Sequence, residues 1–134
     1  MTRHDAPADA IPQGTLALRT LSMPADLNGA GTIFGGWLMG CLDQAAGLAA
    51  ATRSGGNVAT VAVKELLFLH PLHAHQDVRI YADLLKTGRT SMHFRLEVWA
   101  GDLGATPQVL AAHATFVMVA LDAEGRPRPL AITA

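Results

Sequence analysis

Along the chain, three stretches alternate apolar and polar side chains at the two-residue period of a strand. In "SMHFRLEVWA", Met92, Phe94, Leu96 and Val98 alternate with His93, Arg95 and Glu97, which predicts a strand with one wet face. "DVRIYADLL" sets Val78, Ile80, Ala82 and Leu84 against Arg79, Tyr81 and Asp83, and "TLALRTL" (Thr15–Leu21) reads the same way. "NVATVAVKELLFL" and "VLAAHATFVMVAL" are longer and more apolar, a pattern that predicts central strands. Between the first strand and the others the period changes. From Phe34 to Thr52, Trp37, Leu38, Cys41, Leu42, Ala45, Leu48 and Ala49 recur at three- and four-residue steps, which is helical spacing. Met39, Ala46, Ala50 and Ala51 make the other faces apolar too, so this helix must be buried on most sides.

Punctuation agrees with these elements. "RSGGN" supplies glycines for a helix C-cap, "SMPADLNGAG" (Ser22–Gly31) is a loop by its Pro, Asp, Asn and Gly content, and "KTGRT" is a short turn. "DAEGRPR" (Asp122–Arg128) closes the last strand with a turn and a basic, proline-rich tail. Residues 1–14, rich in Ala, Pro and polar groups, read as a flexible arm, and residues 15–134 as a single domain. The order is strand, one long helix, then four mostly antiparallel strands, an α+β architecture. One helix covers only one face of such a sheet. A helix apolar all round needs more cover than this sheet supplies, so dimerisation is expected.

Composition narrows the function classes. Half of the 134 residues are hydrophobic and 16% are charged, enough apolar surface for a packed core. A net charge of −1 gives no electrostatic case for nucleic acid or an anionic membrane surface. The first residues lack the apolar run of a signal peptide, and the apolar segment around residues 37–51 is too short and glycine-broken to span a bilayer. A single cysteine forms no internal disulfide. A cytoplasmic protein is the expectation.

Candidate chemistry concentrates in "NGAGTIFGGWLMGCLDQAAG" (Asn28–Gly47), where Asp43 is the only charge from Phe34 to Thr52. A carboxylate in such a segment costs several kcal/mol unless something offsets it. A dinucleotide fingerprint fails, because Gly29, Gly31 and Gly35 are spaced one residue too far apart, and Gln44–Val63 offers no acid for a ribose. A purely structural reading leaves Asp43 satisfied by backbone groups. A third reading joins the features. Gly35 and Gly36 begin the helix, where free N–H groups and the positive dipole end suit an oxyanion. Asp43 lies about 12 Å further along the axis, so one helix cannot serve one reacting atom with both. Two antiparallel helices from two subunits would bring each Asp near the other's glycine end.

The combination of "LRTLSMPADLNGAGTIFGGWLMGCLDQAAG" (residues 18–47), "VATVAVKELLFLHPL", "KTGRTSMHFRLEVWA" and "ATFVMVALDAEGRPRPL" closely resembles the bacterial YciA-type acyl-CoA thioesterases of the hotdog superfamily. The likeness runs from Gln13 to Leu130. It implies a hotdog fold, a long central helix wrapped by an antiparallel β-sheet, with two subunits forming a continuous sheet. It implies sites at the dimer interface, commonly a trimer of dimers, and hydrolysis of acyl-CoA without metal or redox cofactor, coenzyme A being part of the substrate. By the same likeness Asp43 and Asn28 are the catalytic pair. The N–H of Gly36, and less surely Gly35, would form the oxyanion hole. "TGRTS" and "EGRPR" point to Lys86, Arg89, Thr90, Ser91, Arg126 and Arg128 as binders of the CoA phosphates. Phe34 stands where many hotdog thioesterases carry His, as is usual in this branch, and Thr32 stands where relatives often have an acid or other polar group.

Other groups carry less. His70, His73 and His75 lie around Pro71 with the spacing of a loop, and no metal site is expected there. Cys41 sits among Leu38, Leu42 and Ala45 without a basic neighbour and reads as core. Ser22, Ser54 and Ser91 lack the G-x-S-x-G elbow of a serine hydrolase. His93, His113 and Asp83 fall outside the segment where hotdog dehydratases place a histidine. Two rivals remain: a non-catalytic acyl-CoA binder, which has no need of Asp43, and a thioesterase for aromatic or carrier-protein-bound acyl groups.

Overall fold

A computed structural model describes residues 11–104 and 108–131; residues 1–10 of the arm expected from the sequence lie outside the described residues. Five strands, β1 (Thr15–Leu21), β2 (Val58–Phe68), β3 (Gln76–Thr87), β4 (Ser91–Asp102) and β5 (Val109–Ala120), form one antiparallel sheet in the order β1-β3-β4-β5-β2. The helix α1 (Gly35–Ser54) lies across one face of it.

The alternation seen in the sequence decides which face is covered. Met92, Phe94, Leu96 and Val98 of β4 are all buried beneath α1, beside Val78, Ile80 and Ala82 of β3 and Ala112, Ala114, Phe116 and Met118 of β5. Their register is direct: Phe94 opposes Phe116, and Leu96 opposes Ala114. From α1, Leu38, Leu42, Ala45, Ala46 and Ala50 press down on this floor. The small alanines let the helix axis approach the sheet closely, and Leu42, fully buried, fills the centre. Gly55, in the left-handed region at φ 76°, ends the helix with its N–H on the Ala51 carbonyl. At the start of β1, Gly14 has φ 94° and a Cβ there would sit 2.3 Å from the Ala82 carbonyl oxygen, so no other residue fits.

Two expectations need correction. First, β2 is not central but an edge strand, for all its apolar content; Val61, Val63, Leu67 and Phe68 are exposed. An exposed apolar edge is a template for pairing with another strand, and apolar content alone cannot say whether the covering strand comes from the same chain. Second, the outer face of β4 is not uniformly wet. Glu97 is buried there, accepting hydrogen bonds from the Gln13 N–H (3.1 Å), Arg95 Nε (3.2 Å) and Trp99 Nε1 (3.0 Å). On the neighbouring strand Asp77 is equally enclosed, gripped by Arg19 and Arg79, each at 2.9 Å. Alternation marks which side a residue faces; long neighbours decide whether water reaches it. Among the described residues no helix is long and apolar enough to cross a membrane.

Candidate active site

Asp43 lies near the middle of α1 on the side turned toward β2, exposed on the protomer. Its carboxylate is not free: the hydroxyl of Thr60, on β2, donates to Oδ1 at 2.5 Å, the short end for an O–H to an ionised acceptor. The same hydroxyl oxygen stands 3.3 Å from Met118 Sδ on β5, which fixes its position over the sheet. Thr60 is the functional candidate that sequence reasoning missed. Its signal was faint: one hydroxyl in the apolar run "NVATVAV", in a strand whose register against the helix only folding sets.

Asp43 has small neighbours. Gly36, Gly40, Asp43 and Gly47 follow at the four- and three-residue steps of a single helix face. A Cβ added to any of these three glycines would meet nothing within 4 Å. Glycine costs a helix interior about 1 kcal/mol relative to alanine. Among the described residues nothing packs on this stripe, so nothing within the protomer requires that cost.

The other half of the expected machinery sits at the start of α1. Phe34 occupies the N-cap position without a side-chain cap, its N–H tied to the Asp26 carbonyl at 2.9 Å. The Gly35 and Gly36 N–H groups have no acceptor among the described residues and point out of the helix end. Beside them opens a cleft of about 270 Å³ lined by Thr32, Phe34, Gly35, Leu38, Phe68 and Leu72, with His70 at its rim. Asn28 holds the loop that leads here. Its Oδ1 accepts the N–H groups of Ala30 (2.8 Å) and Thr32 (3.2 Å), and its Nδ2 donates to Thr32 Oγ1 at 3.1 Å. Those bonds leave the Asn28 amide half-buried and fixed in orientation. Among the described residues no hydrogen bond or ion pair joins Asn28 to Asp43 within the protomer.

The basic residues scatter. Arg89, in the turn after β3, lines a cleft with the 129–131 tail. Thr90 receives the Ala120 N–H on its carbonyl, and the Ser91 hydroxyl packs where a Gly88 Cβ would fall, so both shape the turn. Lys86 opposes His93 in the sheet, and together with Lys64 its charge holds the His93 pKa down, after burial of the ring itself. Arg126 is exposed, its backbone N–H on Asp122 Oδ1. Arg128 is committed inward: Nε donates to the Leu121 carbonyl at 3.1 Å, and one of its terminal nitrogens is buried against Gly56. Cys41 is half-buried and its thiol is pushed up, chiefly by burial and then by the charge of Asp26, which suits core packing. Among the described residues no three His, Cys, Asp or Glu side chains converge as metal ligands would.

Comparison with known proteins identifies the family and the fold. The Thioesterase superfamily profile matches residues 30–106. The acyl-CoA thioester hydrolase YciA of Salmonella typhimurium is 42% identical over 127 residues, 92% of this chain and 96% of its own. A hexameric thioesterase from Yersinia pestis superposes with a TM-score of 0.88 at 41% identity, covering 92% of this chain and 100% of its own. An acyl-CoA hydrolase from Staphylococcus aureus, solved with butyryl coenzyme A and coenzyme A, gives 0.78 at 29% identity, covering 84% and 69%. One long helix on a five-stranded antiparallel sheet is the hotdog fold of these thioesterases. The chain belongs to the Thioesterase superfamily, in the branch of the YciA-type acyl-CoA thioester hydrolases.

Proposed function

We propose that this protein hydrolyses acyl-CoA thioesters to the free acid and coenzyme A, at sites shared between two protomers of a homo-oligomer. The observation that carries the proposal is Asp43, held by Thr60 on an otherwise apolar and glycine-lined helix face next to the unpaired edge of β2. That face and that edge are what a second copy covers. Pairing β2 with its partner's β2 would continue the sheet, and the Gly36–Gly40–Gly47 stripe would let two helices pass closely and antiparallel. Each Asp43 then meets the Asn28 loop and the glycine end of the other subunit. A hexamer built as a trimer of such dimers is the assembly we favour.

In this arrangement the thioester carbonyl oxygen accepts the Gly36 N–H, with Gly35 beside it, so the charge developing there meets fixed donors at a helix N-terminus. Asp43 either takes the proton of a water that attacks the carbonyl carbon, or attacks that carbon itself and forms a mixed anhydride that water later opens. Both routes consume one water, break the C–S bond and leave the acid and the CoA thiol. Asn28 orients the water or the carbonyl, and Thr60 fixes which oxygen of Asp43 faces the substrate. No step calls for a metal or redox cofactor, and a cytoplasmic location, where acyl-CoA is made and used, belongs to the same proposal.

The experiment is thiol release from an acyl-CoA panel, short to long and including aromatic, with wild type and Asp43→Ala side by side. The expected outcome is hydrolysis by wild type and a loss of about 10²- to 10⁴-fold in the variant, with its oligomer intact. Binding of CoA by wild type without hydrolysis of any member would refute the thioesterase reading in favour of a non-catalytic binder.

A further inference from the structure

Most arginines of the described residues are occupied. Arg19 and Arg79 hold Asp77, Arg95 holds Glu97, and Arg128 donates to a backbone carbonyl. The Arg126 side chain has no partner among the described residues either, but it stands exposed in the turn after β5. Arg53 and Arg89 differ from all of these. Neither guanidinium has a hydrogen-bond or salt-bridge partner among the described residues, and both line one cleft of about 470 Å³. Arg53 comes from the last turn of α1, Arg89 from the β3–β4 turn, and the 129–131 tail closes the third side. Backbone bonds set that wall: Leu130 N–H to the Arg89 carbonyl and Arg128 N–H to the Ala120 carbonyl, both 2.8 Å. Among the described residues no carboxylate lines the cleft. The dipole of α1 favours one cation at its C-terminus, but it does not account for a second from another element. Two unneutralised guanidiniums around one concavity make a site for a polyanion, and their planar forks match phosphate oxygens.

Distance selects the anion. Arg53 lies ten residues beyond Asp43 on the same helix, about 15 Å along the axis. The arm of coenzyme A between sulfur and the diphosphate is about 13 bonds, again ~15 Å when extended. We propose that Arg53, together with Arg89, binds the nucleotide phosphates of the acyl-CoA and so sets the position of the thioester over Asp43. The inference rests on the acyl-CoA reading above and adds Arg53, which neither the motifs nor the family likeness singled out.

The test compares one acyl group carried on coenzyme A and on pantetheine, which lacks every phosphate. Wild type, Arg53→Gln and Arg53→Lys are assayed with oligomer size and thermal midpoint measured alongside. Arg53→Gln is expected to raise KM for acyl-CoA about tenfold, the size of one lost hydrogen bond to a charged group. Its kcat, and its KM for acyl-pantetheine, are expected to stay at the wild-type value, with Arg53→Lys recovering part of the loss. Calorimetry with adenosine 3′,5′-bisphosphate is expected to show the same tenfold weakening. An acyl-CoA KM within twofold of wild type, or an equal rise for both substrates, overturns the assignment. Should Arg53→Gln unfold, Arg53→Lys decides by the same comparison, because it keeps the charge and loses the fork. Wild type that hydrolyses neither substrate would sink the thioesterase reading instead, and the bisphosphate titration would still judge Arg53.

Discussion

Replacing Thr60 by valine keeps the β-branched shape of the side chain in β2 and removes the hydroxyl that donates to Asp43 Oδ1 at 2.5 Å. A hydrogen bond to an ionised group contributes about 1.5–3 kcal/mol net. Both residues are exposed on the protomer, which argues for the lower figure in water; a partner helix over the glycine stripe would exclude solvent and argue for the higher. At ~1.4 kcal/mol per factor of ten, the expected loss in kcat/KM is about 10- to 100-fold. Thr60 is a positioning residue: it acts through Asp43, and a double-mutant cycle reads that directly. Once Asp43→Asn has removed the carboxylate, adding Thr60→Val is expected to cost less than twofold more, while Thr60→Ser restores most activity because it returns the donor. The assay is steady-state thiol release for the four forms of the cycle and for Thr60→Ser, with light scattering to check assembly. Thr60→Val within twofold of wild type, or a double variant that adds the full single penalty, would refute the coupling.

Two further outcomes follow from the fold. Replacing Val61, 58% exposed on the β2 edge, with lysine should shift the oligomer toward monomer on size-exclusion with light scattering and lower activity with it; an unchanged assembly would place the subunit contact elsewhere. Asp77 makes acid stability testable. The bond from Arg19 first, then that from Arg79, holds its carboxyl below the usual carboxylate value, so the folded chain takes up that proton less readily than the unfolded one. The cluster therefore stabilises above the unfolded value of about 3.9 and loses its contribution as pH falls through the lower folded one. Denaturant midpoints of wild type and Asp77→Asn should differ at pH 7 and converge in acid; a gap that persists there would show that packing, not charge, sets it.

Much of this molecule is legible in its sequence because local rules act without reference to the rest of the chain. The period-two alternation in "SMHFRLEVWA" names the inward residues of β4, and the helical steps from Phe34 together with the glycines after Ser54 bound α1 to within two residues. Asp43 stands out for a related reason: a lone charge in an apolar segment predicts a desolvation cost that needs an offset, although on the protomer the carboxylate proves exposed beside Thr60. Family likeness extended that reading to Asn28 and the helix-start glycines.

What needed tertiary structure was everything set by pairing across the chain. β2 reads as a central strand because its side chains are apolar, but the order β1-β3-β4-β5-β2 leaves it at the edge, where Val61, Val63, Leu67 and Phe68 are exposed. Thr60 reaches Asp43 only because β2 lies beside that face of α1, a contact across 17 residues of sequence that no local pattern encodes. The basic residues make the same point. Sequence presented Arg89, Arg126 and Arg128 as equals, whereas folding turned Arg128 inward onto Leu121, left Arg126 in solvent and set Arg89 opposite Arg53. Secondary structure follows from the period of the side chains; which charges are neutralised and which are left facing a cleft follows from register and packing, and those exist only once distant segments have met.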